Sequence, residues 1–437
     1  MLKRFLKTTS SVGSGSRTKP SLTYAPRPVT VSELRQLIPL RNLADEELDA
    51  FALTQQVETY GSGSILFESG DKEECVLFLL AGSVTMKVNE DQSYQVQAGT
   101  AKARFPLSHS ESHQATAITN TDVEVLRVPV AVMHKNFEGR LKEDWILNPD
   151  SWEVPSRLRN SPLFQTFCQY FVNEKLQLPT LPDIAMRLRH AIEKDDIGVA
   201  EAAKIVELDA TIATKLIRIG NSPLYMTNSP ARSCLDAINR LGLKATCNLV
   251  MTLCLKDVFK SRDKLLNQKM HALWRESLQV ASLAYVLAKD NQWPDPEAAL
   301  LMGLISKIGT VPFLAFVSEF PKEHYSPEDI DAVLEAIRGP ASCYVLRRWN
   351  FPEELVKIPL VAEMWHYDSG PQLCLSDIVT LSKLHRYLET GRMSELPAIN
   401  SIPACGKLRD SSLSPEYSLK VLHEAKDQVQ EMLAPLR

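Results

Sequence analysis

Three groups of side chains in this 437-residue chain are of types that do chemistry. One guanidinium and two imidazoles, Arg104, His109 and His113, lie close together in GTAKARFPLSHSESHQATAI (99–118) and suit an anion. Metal-type donors are scattered near the C-terminus as His366, Asp377 and His385. Such groups can hold a divalent cation and activate a water on it. The third group is the polar pair Ser306-Lys307 inside the apolar LMGLISKIGT (301–310). An ammonium has no lone pair for a metal, and its charge repels one. The eight cysteines form no CxxC pair and have no histidine at metal-site spacing, so they read as reduced residues of a cytosolic protein. No GxGxxG, Walker loop, GxSxG or HExxH occurs. The acidic pairs Asp195-Asp196 and Glu353-Glu354 suit helix starts better than acid–base work.

The elements that must position these groups change period midway. A helix is expected in VSELRQLIPLRNLADEELDAFA, with Leu34, Leu37, Ile38 and Leu48 at helical spacing. Short strands follow, among them Cys75–Leu80, the alternating SVTMKV (83–88) and VEVLRVPV (123–130), punctuated by turn glycines. They predict a small barrel or roll. Residues 146–172, with three prolines in WILNPDSWEVPSRLRNSPLF, read as a connector. Beyond it the period becomes 3.6. Asp209 caps one helix, Ser233-Cys-Leu-Asp236 resembles a capping box, and Gly242 ends the helix that box opens.

A net charge of −4 argues against a dedicated nucleic-acid binder, and no apolar run is seen that approaches the roughly 20 residues that cross a bilayer. Residues 1–30 hold six Lys/Arg and no acid, as a disordered basic tail does. The basic segment Ala231–Arg262 with its RLGLKA turn invites comparison with a DNA-reading helix-turn-helix. Its second helix, NLVMTLCL, is apolar almost all round and is expected to be buried.

Several blocks of the second half resemble, in order, the HDOD domain, the HD-related output domain of bacterial signalling proteins. They are LPTLPDIAMRLRHAI, LDATIATKLIRIGNSPLY, AINRLGLKATCNLVMTLCLKDVF, LWRESLQVASLAYVLA, EAALLMGLISKIG and RRWNFPEELVKIPLVAEMWHY. The resemblance makes Asn221, Ser222, Gly242, Trp274 and Gly303 signature residues with structural roles. It also implies that the His-Asp pair of HD phosphohydrolases is replaced by Ser306 and Lys307. A preceding histidine is replaced by Glu276, and a later aspartate falls within Leu381-Ser382-Lys383. The first half, in LRQLIPLRNLADEEL, YGSGSILFESGDKEECVLFLLAGSVTMKV and ATAITNTDVEVLRVP, resembles a cyclic-nucleotide-binding domain. In its phosphate cassette, His113 stands where that family has arginine, and Arg104 lies near the glutamate position.

The expected fold is therefore α+β and multidomain. A tail (1–30), a cyclic-nucleotide-binding-like β-roll (31–145) and a linker (146–172) precede an all-helical HDOD domain (173–400) and a C-terminal segment and helix (401–437). The expected function is a non-catalytic, cytoplasmic signal-transduction protein of bacteria with no metal or other cofactor, whose partner is another protein. Tyr417, Leu419, Leu422, Val429 and Leu433 in the last helix dock on their own domain or dimerise the chain. Three alternatives stay open. A nucleotide-binding regulator needs a basic concave site at Arg104 or a groove near Arg218 and Arg240. A residual phosphohydrolase needs His366 to converge with Asp377 or His385. A DNA-binding regulator needs NLVMTLCL exposed.

Overall fold

Alternating apolar residues close the first unit into a roll of two antiparallel sheets. This computed structural model describes residues 24–408 apart from 44, 73–74, 91, 109–112, 153, 194–196, 226, 228, 262 and 390–395. Its contacts divide the chain at Pro129/Val130. The strands are β1 (Tyr24–Pro28), β2 (Gln56–Tyr60), β3 (Ile65–Phe67), β4 (Cys75–Ala81), β5 (Ser83–Lys87), β6 (Ser93–Gln97), β7 (Thr116–Thr119) and β8 (Val123–Pro129). One sheet runs β1-β2-β8-β4 and the other β3-β7-β5-β6. Leu77 and Leu79 of β4 join Val84, Met86, Val96 and Val125 in the interior cluster. Val76 and Phe78, on the opposite face of β4, are buried as well, which is why this strand reads as one apolar run. Gly82 links β4 to β5 at φ +82°, where a Cβ would lie 2.3 Å from the Asp122 carbonyl, so the turn requires glycine.

Three expectations change here. Residues 24–28, placed in a disordered tail, form β1 against β2, and Arg27 bridges Glu33 at 2.7 Å and Glu124 at 2.6 Å. The opening helix is broken into α1 (Val31–Leu34), a 3₁₀ turn at Leu40–Asn42 and α2 (Asp45–Thr54), because Pro39 lacks the N–H a continuous helix needs. The contact boundary falls at Pro129 rather than 145.

Among its described residues the second unit is helical, with no strand. It opens with α3 (Val130–Arg140), α4 (Glu143–Leu147), α5 (Ser156–Arg159) and α6 (Pro162–Val172). The supposed linker is thus partly core: Phe167 meets Phe313 edge-on at 5.0 Å, and Phe171 meets Tyr344 at 4.5 Å. Aromatics spaced four apart, Phe167 and Phe171, outweigh the prolines that suggested a connector. There follow α7 (Asp183–Glu193), α8 (Val199–Glu207), α9 (Ala210–Gly220), α10 (Cys234–Leu241) and α11 (Leu243–Cys254). Asp209 caps α9, and Ser233 with Asp236 forms the capping box of α10.

The last group is α12 (Lys264–Asp290), α13 (Pro296–Ile305), α14 (Thr310–Glu319), α15 (Pro327–Arg348), α16 (Glu353–Val356), α17 (Ile358–Val361) and α18 (Leu375–Glu389). The stretch Pro296–Glu319 is apolar and long enough to cross a membrane by composition, contrary to the sequence expectation. However, 89% of its most apolar window is buried inside this unit, where it serves as core. The C-terminal helix expected in SPEYSLKVLHEAKDQVQEML lies outside the described residues.

Candidate functional site

Two glycines let three segments of the helical unit meet. A Cβ on Gly303 of α13 would lie 2.7 Å from the Ala281 Cα of α12, so these helices touch backbone to backbone. A Cβ on Gly309 would fall 2.1 Å from backbone atoms of Ala341 and Ser342 in α15. The Gly309 N–H donates to Ser342 Oγ at 2.9 Å. The α13–α14 turn is thereby pressed between α12 and α15, and Lys307 is carried into the middle of the unit.

What gathers there is an ion cluster. Lys307 Nζ donates to Glu276 Oε1 of α12 at 2.5 Å. Lys383 of α18, 3% exposed, donates to Glu363 Oε1 at 2.5 Å, and Arg338 of α15 reaches Glu363 Oε2 at 2.6 Å. Arg338 also donates to the Tyr387 hydroxyl at 3.1 Å. Residues 383, 386 and 387 share one face of α18. The side chains leave a cavity of about 10 Å³, the room of a single water.

Burial works against each of these charges. Desolvation pushes the Glu363 carboxyl up, but Arg338 and Lys383 together hold it down at about 2. Desolvation drives Lys383 down to about 8 despite Glu363, with Arg338 and Lys307 adding repulsion. Burial also pushes Glu276 up, yet the Lys307 ammonium keeps it below the ordinary carboxylate value.

Ser306 is fully buried and donates to the Gly303 carbonyl at 2.9 Å, within its own turn. The three metal-type donors sit elsewhere. Asp377 accepts from Ser369 Oγ at 2.8 Å, from the Cys374 N–H at 3.0 Å and from Lys407 at 3.3 Å. His366 Nδ1 lies 3.1 Å from the Ser401 carbonyl. His385 is wholly buried with no hydrogen-bond partner at either ring nitrogen, and desolvation pushes it down to about 4. Among the described residues no three His, Cys, Asp or Glu side chains are placed to share an ion.

In the β-roll, Arg104 ends a 3₁₀ turn (Lys102–Arg104) and is exposed, its carbonyl accepting from the Ile38 N–H at 2.7 Å. His113 is 3% exposed and stacks on Phe67 with 3.9 Å between ring centroids. Ala103 and Leu107, on either side of Arg104, belong to the roll's interior cluster. His109 lies outside the described residues. The groove arginine Arg240 is committed to the Gly220 carbonyl at 2.6 Å and to Asn221 Oδ1 at 3.1 Å. Leu249 through Cys254 of α11 are all buried, leaving no polar reading face there.

Residues 178–363 match the family model described as HDOD domain, and residues 57–138 match the cyclic nucleotide-binding domain. The chain carries both domains. A curated Treponema pallidum (strain Nichols) protein described as uncharacterized is 23% identical over 189 residues, which is 41% of this chain and 36% of that one. The match thus spans about a third of that relative's length.

Among solved structures, a Shewanella amazonensis SB2B chain named provisionally as a metal-dependent phosphohydrolase has TM-score 0.49 and 22% identity. The similarity covers 60% of this chain and 96% of that one. An HDOD domain protein of unknown function from Geobacter sulfurreducens has TM-score 0.45 and 21% identity, covering 62% and 96%.

Within the HDOD domain, Asn221 holds both backbone groups of Ala231: Nδ2 donates to its carbonyl at 2.8 Å and Oδ1 accepts its N–H at 2.7 Å. Ser222 and Trp274 are buried, and Gly242 joins α10 to α11 at φ +83°. Sequence reading missed Arg338, Glu363, Arg386 and Tyr387 as members of the central cluster. The available signal was a single charge within each apolar stretch, as in IPLVAEMW and AIRGPASC.

Proposed function

We propose that this chain is a non-catalytic bacterial signal-transduction protein. Its β-roll senses or docks, and its HDOD domain presents a surface to a partner protein in the cytoplasm. The two domain types fit a signalling protein. The observation that carries the non-catalytic reading is the Glu276–Lys307 ion pair beside Lys383–Glu363. Lys307 occupies a position where the resemblance puts a metal ligand, and Lys383 belongs to the Leu381-Ser382-Lys383 stretch in which it puts another. Ammonium groups there supply positive charge from the protein itself and repel a second cation. The two domains can then be coupled through a ligand or partner that binds one state of the protein better than another.

The test is turnover of bis-p-nitrophenyl phosphate and cyclic dinucleotides by the full chain with Mn²⁺ or Mg²⁺. No metal-dependent turnover is expected. Turnover that requires metal and is abolished in Glu276→Gln would overturn the reading.

The match over 57–138 favours a second reading, in which a nucleotide is the β-roll's ligand. A thermal midpoint raised by one cyclic nucleotide in the wild type, and unmoved in Arg104→Ala, would select that sensor over a docking module.

A further inference from the structure

We propose that the β-roll pairs edge to edge with a second copy of this chain, β6 lying antiparallel to the other copy's β6 about a two-fold axis at Gln95. The roll's two sheets end in β1, β4, β3 and β6. The first three edges are blunted. β1 carries Pro26 and Pro28 with Arg27 between them. β4 gives its Leu77 carbonyl to the Leu107 N–H at 2.8 Å, and β3 is three residues long with a shift in register. Proline, a covering segment and short length are devices by which soluble proteins close a sheet edge. Among the described residues β6 has none of them. Its five residues, SYQVQ, hold no proline and no charge, and they run against β5 without a bulge.

Register fixes which backbone groups of β6 point outward. The Val88 N–H donates to the Gln92 carbonyl at 2.9 Å, and the Ala98 N–H to the Gly82 carbonyl at 3.0 Å. Alternation along the antiparallel ladder then gives the backbones of Tyr94 and Val96 to β5 and turns those of Ser93, Gln95 and Gln97 away from it. The Gln97 carbonyl accepts from the Thr100 N–H at 3.2 Å and from Thr100 Oγ1 at 2.6 Å. The backbone N–H and carbonyl of Gln95 have no partner among the described residues, and its side chain is exposed.

Charge selects the occupant and its direction. Glu90 stands exposed in the turn before β6, and Lys102 lies in the 3₁₀ turn after it, 5.6 Å over the Tyr94 ring. Antiparallel pairing of two copies brings the acidic end of each strand to the basic end of the other, whereas parallel pairing sets like charges together. With the axis at Gln95, that residue exchanges a pair of backbone bonds with its own counterpart, and Ser93 does so with Gln97. Tyr94 and Val96 keep their places against the interior cluster, so no apolar side chain has to move. The pairing concerns the roll and goes beyond the signalling reading, which gives the HDOD domain a different protein as partner.

The experiment uses the full chain in sedimentation equilibrium over a concentration series. The wild type is expected to exchange between monomer and dimer. Gln95→Pro removes an N–H that the roll does not use, and should be monomeric with the thermal midpoint of the wild type. Gln95→Lys sets two ammonium groups opposite each other and should raise the dimer's dissociation constant about fivefold. Oxidative cross-linking reads the register. Gln95→Cys faces its counterpart at about 5.5 Å between Cα atoms and should form a disulfide dimer beyond the wild-type level. Ser93→Cys, roughly 13 Å from its counterpart, should not. A wild type that stays monomeric throughout would overturn the proposal and leave the edge to a strand of another protein. A dimer unchanged in both Gln95→Pro and Gln95→Lys would overturn it by placing the interface elsewhere, and equal cross-linking of the two cysteine variants would do so by denying the register.

Discussion

Glu363 is the residue on which the central cluster turns. It is the counter-charge of both Lys383 and Arg338, so Glu363→Gln leaves two cations facing each other with no carboxylate between them. Breaking a buried pair from one side costs about 3–5 kcal/mol. Lys307→Met removes one partner of Glu276, whose side chain is a third exposed and can recover water. Its cost is expected to be smaller, about 1–2 kcal/mol. Urea unfolding of the two variants checks the order; equal losses would mean that Glu363 is not the hub.

His385 makes a separate residue-scale case. Its folded value is about 4 against 6.5 for the free side chain, so between those limits the unfolded chain binds more protons than the folded one. Stability therefore falls as pH drops from 6.5 to 4, by about 3 kcal/mol for this one group. His385→Leu should flatten the slope of unfolding free energy against pH in that window. An unchanged slope would place the proton uptake on another group.

At the scale of elements, the two close helix contacts are expected to tolerate no side chain. Alanine at Gly309 would drive a methyl into the α15 backbone at 2.1 Å, and at Gly303 into Ala281 at 2.7 Å. Neither neighbour is a flexible side-chain end, so whole elements must shift. Losses of about 3 kcal/mol or more are expected for Gly309→Ala, and somewhat less for Gly303→Ala. Gly198, before α8, has nothing within 4 Å of an added Cβ and an ordinary φ of −85°, so Gly198→Ala should stay within about 0.5 kcal/mol. Thermal midpoints of the three variants test this ranking. The α10–α11 pair is the complementary case. Its sequence suits a DNA-reading turn, but Gly242 and the burial of α11 make it a core hairpin.

At the scale of the whole molecule, the acid-sensitive groups are concentrated in the second unit. Glu363 and His385 both release stability as pH falls, in windows from 4.5 to 2 and from 6.5 to 4. In the β-roll the comparable group is Glu33, held at about 2 by Arg27 but partly open to solvent, so its weight is smaller. Calorimetry of the full chain between pH 7 and 4 should therefore lower the transition of the helical unit more than that of the roll. A roll transition that moves first would contradict this assignment.

Periodicity in the sequence was enough to separate a strand-rich first half from a helical second half, because period 2 and period 3.6 are local properties. Caps at Asp209 and Ser233-Asp236, and strands such as SVTMKV, were legible for the same reason. Glu276, Ser306 and Lys307 were identified as replaced positions from the HDOD resemblance, but their partners were not. Arg338 and Glu363 come from segments 25 residues apart that meet where Gly339 lets α15 approach the Leu360 backbone, a Cβ there lying 3.3 Å from the Leu360 Cα. His366, Asp377 and His385 looked equivalent as residue types, and packing gave them unlike surroundings: a backbone carbonyl, a lysine-bearing network and an apolar interior. Residue type and spacing set which groups could do chemistry. Tertiary structure alone decided which of them share a cavity, because desolvation and ion pairing depend on neighbours distant in the chain.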